Sequence, residues 1–279
     1  MDGAVMEFLG VHAVRNGMLI GASEAVLPVG DKAVQYGFGV YESLRVIKGQ
    51  AIYLDEHLKR LAASALGIDL NHPFSLKQMA AWVDGLIKTD AIAQATMRIL
   101  LMGGDQPTLT ITAHPILSYP DDWYKHGINV TTYPGERLLP RYKTCSLLLN
   151  YLALRMANQQ EAFEALLVDR YGRVLEGTRS NFFAFDGDVL YTADDSLVLE
   201  GVTRDKILVA AAKLGFRLCF DPVGQADLIA GRYDELFISS TSMGALPIAM
   251  IDGRRCTSDF SRTRAIHALI RQWEMETLH

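Results

Sequence analysis

Four turn dipeptides constrain this chain more than any other feature of its sequence: Asn16-Gly17, Lys48-Gly49, Asp186-Gly187 and Asp252-Gly253, each beside a short apolar run. A glycine that accepts positive φ lets the chain reverse within two residues, and the flanking segments then pair antiparallel. Hairpins are predicted on this ground for Phe8 to Ile20, for Gly39 to Leu54, and for Phe182–Phe185 with Val189–Tyr191. Apolar runs predict further strands at Met97–Met102, Leu109–Ile116, Ile128–Tyr133, Ala165–Val168 with Val174–Leu175, Glu235–Ser239 and Leu246–Ile251.

Helices are predicted between these strands. Asp55 reads as the cap of a helix with Leu58, Leu61, Ala62 and Ala65 on one face, ending at Gly67. Ser75 opens a second, with Met79, Trp82, Val83 and Leu86 in phase. Leu147–Phe163 reads as one long helix, Arg204 to Leu214 as another that stops at Gly215, and a last begins near Arg262. Hairpins and helices without regular βαβ alternation predict an α+β fold of two domains. Pro120, Asp121 and Asp122 give 119–126 the composition of a linker, so the expected division is a smaller domain over 1–118 and a larger one over 127–279.

Composition removes several functions. A net charge of −5 offers no basic face for nucleic-acid phosphates. No apolar run reaches the roughly 18 residues of a membrane span, and the first eight residues show no basic segment before an apolar one, so no export signal is expected. Cys145, Cys219 and Cys256 are odd in number and lack Cys-x-x-Cys spacing. They read as reduced cysteines of a cytoplasmic protein, with Cys145 a packing residue.

Five segments carry candidate chemistry. Lys143 precedes Thr144, Cys145, Ser146 and an apolar helix. At the edge of a buried segment a lysine loses hydration, which favours a nucleophilic amine, although a snorkelling lysine has the same surroundings. Glu176-Gly177 follows a strand, where glycine lets a ligand approach the backbone. Gly201-Val202-Thr203-Arg204 stands before a helix: an anion site at its free N–H groups, or simply Thr203 as an N-cap. Ser239-Ser240-Thr241-Ser242 is a run of hydroxyls that suits phosphate or a plain loop. His57, Arg60 and Ser64 share a helix face from which an arginine can fork onto phosphate.

In this order the segments resemble the class IV aminotransferases, the fold-type IV pyridoxal-phosphate enzymes. Tyr36-Gly37-Phe38-Gly39-Val40-Tyr41-Glu42 is similar to the family's Tyr-Gly-Asp-Gly-Val-Phe-Glu block, and His57 to Leu61 to its His-x-x-Arg-Leu helix. Lys143 stands where the Schiff-base lysine falls, 33 residues before Glu176 of the Glu-Gly-x-x-Ser-Asn-Phe-Phe block. The resemblance implies two α/β domains joined by a short linker, with pyridoxal 5′-phosphate as cofactor. It assigns Lys143 to the covalent and proton-transfer role and Glu176 to the pyridine nitrogen. Arg60, Val202, Thr203 and Thr241 would cup the phosphate, and Tyr36, Tyr41, Arg98 and Ser242 would lie toward the substrate. It further implies a homodimer acting on an amino acid (branched-chain-like or D) and a 2-oxo acid.

The alternative within the family is 4-amino-4-deoxychorismate lyase. Those lyases often carry an Asn-Ser pair where this chain has Thr241-Ser242, which favours the transaminase. Phe38 replaces the block's aspartate and Ser146 a common asparagine. These two departures are the hints of a third reading, cofactor binding without turnover.

Overall fold

The computed structural model describes residues 7–257 and 259–278. The first six residues, on which most of the expectation about an export signal rests, lie outside them. The chain divides into two compact units: Met1–Leu117 with Tyr142–Ser146 and Glu274–His279, and Ser118–Arg141 with Leu147–Trp273.

In the first unit, strands β1 (His12–Arg15), β2 (Met18–Gly21), β3 (Gly39–Ile47), β4 (Gln50–Ala51), β5 (Gln94–Met102) and β6 (Thr108–His114) join helices α1 (Lys32–Tyr36), α2 (Leu54–Gly67) and α3 (Leu76–Thr89). The strands form a six-stranded antiparallel sheet in the order β2-β1-β6-β5-β3-β4. Asn16, Gly17, Lys48 and Gly49 all take positive φ, as the two predicted hairpins require. The core lies on one face of the sheet, where Val40, Leu44 and Val46 of β3 meet Leu58 and Leu61 of α2 and Met79, Val83 and Leu86 of α3. Helix α3 has the expected Ser75 cap, completed as a capping box by Gln78. Helix α2 does not begin at Asp55. Its N-cap is Tyr53, held at φ 53°, and Asp55 lies in the first turn, where a carboxylate favours the positive end of the helix dipole.

Asp90, the C-cap of α3, ties that helix to the first strand. Its carboxylate accepts hydrogen bonds from the N–H groups of Val11 and His12, both at 3.0 Å, and meets His12 Nδ1 at 2.6 Å. Burial alone raises the Asp90 carboxyl, but the hydrogen bonds and charge of His12, with the Val11 N–H, hold it below the ordinary carboxylate range. A depressed carboxylate stabilises the fold fully above its unfolded pKa of about 3.9 and loses that contribution as the pH falls through the folded value. Asp90→Ala is therefore expected to be destabilised at neutral pH, with the gap to the unaltered chain closing below about pH 4. Urea unfolding at several pH values measures it; a gap that widens in acid would contradict the assignment.

The second unit contains β7 (Ile128–Pro134), β8 (Glu164–Val168), β9 (Arg173–Gly177), β10 (Asn181–Asp186), β11 (Val189–Tyr191), β12 (Arg217–Cys219), β13 (Val223–Gly224), β14 (Glu235–Ser240), β15 (Gly244–Ile251) and β16 (Arg254–Arg255). Its helices are α4 (Asp121–His126), α5 (Leu148–Gln159), α6 (Val202–Lys213), α7 (Gln225–Ile229) and α8 (Ser261–Glu276). Strands β10, β14, β15, β7, β8 and β9 pair in succession, and β9 returns to β10 through Glu176 and Asn181, closing the sheet on itself. Phe182, Ala184, Ile238, Leu246, Val130 and Leu166 share one cluster. Phe183, Phe185 and Phe237 point to the opposite face and pack with Ile207 and Ala210 of α6 and Ile266 and Ile270 of α8.

Three expectations change here. The segment 119–126 is not a bare linker, because Pro120 caps α4 and Asp121 and Asp122 occupy its first turn. Tyr142–Ser146, and with it Lys143, groups with the first unit rather than with a domain over 127–279. The cause is backbone pairing: Thr144 bridges Val40, Tyr41 N–H donates to Lys143 O at 3.0 Å, and Cys145 N–H donates to Gly39 O at 2.8 Å. Helix α5 also stops at Gln159, earlier than expected, since Glu161 turns to φ 56° and Ala162 N–H closes back on Ala157 O. Among the described residues no helix is long and apolar enough to cross a membrane.

Candidate active site

In the first unit the site grows from the alternation of β3. Val40, Glu42, Leu44 and Val46 are buried, and Tyr41, Ser43 and Arg45 point to the other face. Tyr41 pairs with Leu100 and Ser43 with Arg98, while Arg98 pairs with Thr112 of β6. Lys143 reaches the same ring: its Nζ lies 4.5 Å from the centroid of Tyr41, and the Arg98 guanidinium lies 5.5 Å from it. Thus Lys143, Tyr41 and Arg98, three of the residues singled out from sequence, form one group. Burial, followed by the charge of Arg98, holds His114 below the ordinary histidine range, although a contact to Glu7 opposes it. Burial also pushes the Cys145 thiol up to about 11 against the pull of Arg98, so Cys145 stays a neutral packing group. Tyr36 ends α1 with 81% of its surface exposed.

Glu42 was not singled out, yet it organises the predicted arginine. It is fully buried, accepts from Arg60 Nε at 2.6 Å and Nη2 at 2.7 Å, and meets His57 Nδ1 at 2.8 Å. Burial alone raises its carboxyl; the charges and hydrogen bonds of Arg60 and His57 outweigh this and hold it well below the usual range. Ser64, one helical turn beyond Arg60, accepts the Lys143 N–H at 3.0 Å. The face His57-Arg60-Ser64 of α2 therefore sets both an arginine and the backbone of the lysine.

Phe38, which replaces the aspartate of the block, is half-buried. Its ring packs on the core of the first unit, and a Cβ on Gly103 would lie 2.4 Å from it.

In the second unit Glu176 owes its direction to a β-bulge. Between β8 and β9, Leu166 pairs with Gly177 and Val168 with Val174, so Leu175 and Glu176 together oppose Leu167. Val174 joins the cluster of Phe182 and Ile238, whereas Leu175 packs with Ala193 and Val198. Glu176 turns to that same 193–199 segment: its Oε2 accepts the Leu199 N–H at 3.2 Å, and its Oε1 lies 3.2 Å from Arg137 Nη1. Across β10 the row continues through Asn181 to Ser239.

Helix α6 begins beside this row. Its N-cap is Gly201, not Thr203, and no side chain caps it; Val202 and Thr203 are its first two residues. The start of a 12-residue helix without a side-chain cap presents N–H groups to an anion. Thr241 and Ser242 occupy the β14–β15 turn, and Ser242 Oγ contacts Tyr119 Oη at 3.0 Å and Ser240 Oγ at 3.2 Å. Arg271 holds this turn by donating to Ser242 O at 2.8 Å. Ser239 Oγ is buried without a hydrogen-bond partner among the described residues, an orphaned donor of the kind a ligand oxygen satisfies. The uncapped helix, orphaned hydroxyl and buried carboxylate of this unit suit the phosphate and ring nitrogen of pyridoxal 5′-phosphate; in the first unit, the Lys143 amine is a group that can take its aldehyde.

The family model for class IV amino-transferases matches residues 39–251. A D-alanine aminotransferase of Bacillus licheniformis is 31% identical over 251 residues, covering 86% of this chain and 88% of the relative. The branched-chain amino acid aminotransferase of Escherichia coli superposes with a TM-score of 0.87 at 22% identity, covering 95% of this chain and 94% of its own. A hypothetical aminotransferase from Mycobacterium tuberculosis in its PLP-bound form gives 0.82 at 24% identity, covering 93% and 97%. The two solved structures share this fold, and the family match spans the lysine, the bulged glutamate and the hydroxyl turn alike: the chain belongs to the class IV aminotransferases.

Proposed function

We propose that the protein is a pyridoxal-phosphate-dependent transaminase that moves an amino group from an amino acid, branched-chain-like or D, to a 2-oxo acid. The observation that carries this reading is the Lys143 amine set on the Tyr41 ring beside Arg98, in a chain of this family. Bound pyridoxal phosphate supplies an electron sink for the electrons of the substrate Cα–H bond. Lys143 Nζ would hold the cofactor and would take up and return the proton at the substrate Cα. Glu176 keeps a proton on the ring nitrogen. Arg60, the Val202 N–H, Thr203 and Thr241 hold the phosphate. Tyr41 and Arg98 orient the substrate carboxylate, with Tyr36 and Ser242 at the substrate's periphery.

A homodimer suits the chain. Leu148, Tyr151 and Leu152 of α5 are 71%, 65% and 41% exposed at helical spacing on one face, an apolar stripe that a second copy would cover. Three cysteines without a disulfide support a cytoplasmic location.

The deciding experiment incubates the cofactor-loaded protein with single L- and D-amino acids and a 2-oxo acid, and measures the new amino acid formed. Transfer from at least one donor is expected, and the enantiomer used fixes the stereochemistry. No transfer from any donor would overturn the reading.

A further inference from the structure

We propose that Asn181 is a positioning residue that locks the ring-nitrogen partner Glu176 and the phosphate-binding start of α6 to one another; this rests on the function proposed above. Asn181 is 6% exposed and sits directly across β10 from Glu176, at the pairing that closes the sheet. Its Nδ2 donates to Leu199 O at 2.9 Å. The N–H of the same Leu199 donates to Glu176 Oε2 at 3.2 Å. One peptide segment is therefore held on both sides, by the amide through its carbonyl and by the carboxylate through its N–H.

Two residues further on, Gly201 caps α6. A Cβ there would lie 2.3 Å from Asn181 Oδ1, so the amide packs directly against the turn that delivers Val202 and Thr203. The far end of the segment is fixed independently: Arg204, 1% exposed, donates to Ala193 O at 2.8 Å and pairs with Asp195. Between these ends Asn181 touches both the Leu199 peptide and the helix cap. It makes no claim on substrate or cofactor itself. Its effect is the spacing between a carboxylate and a helix start that must serve two ends of one small molecule.

The test uses the apoprotein, titrated separately with pyridoxal 5′-phosphate and with pyridoxal, which lacks the phosphate. Thermal midpoints are recorded for every variant. Asn181→Ala is expected to weaken pyridoxal 5′-phosphate binding about 10–100-fold, the range for leaving a buried hydrogen-bonding group without its partner. The preference for pyridoxal 5′-phosphate over pyridoxal should shrink as well, which a general loss of stability would not produce. Asn181→Asp keeps the shape and removes the donor, so it should weaken binding similarly if the alanine variant folds poorly. Gly201→Ala should weaken binding in the unaltered background and add little in Asn181→Ala, because the atom it strikes is gone. Unchanged affinity and preference in a folded Asn181→Asp, or strictly additive effects in the double variant, would overturn the role of Asn181. Failure of the unaltered apoprotein to bind pyridoxal 5′-phosphate would overturn that role and the proposed function together.

Discussion

Lys143→Ala is expected to abolish transamination, with a loss of at least about 10⁴-fold, since one side chain provides both the covalent attachment and the base that moves the Cα proton. The variant should still fold. Tyr41 and Cys145 are bonded to the backbone of the Lys143 segment, and the Ser64 hydroxyl receives the Lys143 N–H, none of which uses the amine. Its thermal midpoint should therefore stay close to that of the unaltered apoprotein. Pyridoxal phosphate should still bind, held by the groups proposed for its phosphate and ring nitrogen, but borohydride should no longer fix it to the chain. Added methylamine restores a small part of the rate if the missing function is an amine. Retention of more than about one part in a hundred of the rate would remove Lys143 from the general acid–base role.

Glu42→Gln is expected to give the largest loss of stability among conservative changes in the first unit, about 3–5 kcal/mol, the cost of breaking a buried ion pair from one side. The amide keeps the volume but leaves the guanidinium of Arg60, its side chain 12% exposed, without its carboxylate. The pH dependence has a definite sign. Because the folded carboxyl is depressed, its contribution is complete above the unfolded value of about 4.3 and vanishes only as the pH falls through the lower folded value. Urea unfolding should show a constant difference between Glu42→Gln and the unaltered chain from pH 7 to about pH 5, shrinking in stronger acid. The same variant should bind pyridoxal phosphate more weakly, since Arg60 is aimed by Glu42. A difference under about 1 kcal/mol would mean that water or relaxation replaces the carboxylate.

Much of this fold was legible in local pattern. Turn glycines located the hairpins, and the Ser75–Gln78 spacing located a helix start, because both signals act within a few residues. Failures came where composition was read without geometry. Pro120-Asp121-Asp122 looked like a linker, although proline and acids also suit a helix start. Thr203 looked like a cap, but the cap is Gly201, where a Cβ would lie 2.3 Å from Asn181 Oδ1. Glu42 had a readable signal, a carboxylate in phase with Val40, Leu44 and Val46 on the buried side of a strand. Such a residue requires a cation, and His57 and Arg60 lay at helical spacing nearby. The contacts of Arg137 with Glu176 and of Asn181 with Leu199 had no local signal, since the partners lie 39 and 18 residues away.

The bulge at Leu175–Glu176 has a consequence for how this site can change over time. A carboxylate at this position faces the 193–199 segment because β9 carries one more residue than β8 over the same span. Losing Gly177, so that Glu176 itself paired with Leu166, would leave every chemistry-bearing side chain in the sequence and, by strict alternation, turn the carboxylate toward the apolar cluster of Val174. Substitutions at Leu175 trade one packing group for another, whereas a change of length reverses a direction. Evolution along this strand is thus far freer in residue identity than in residue count.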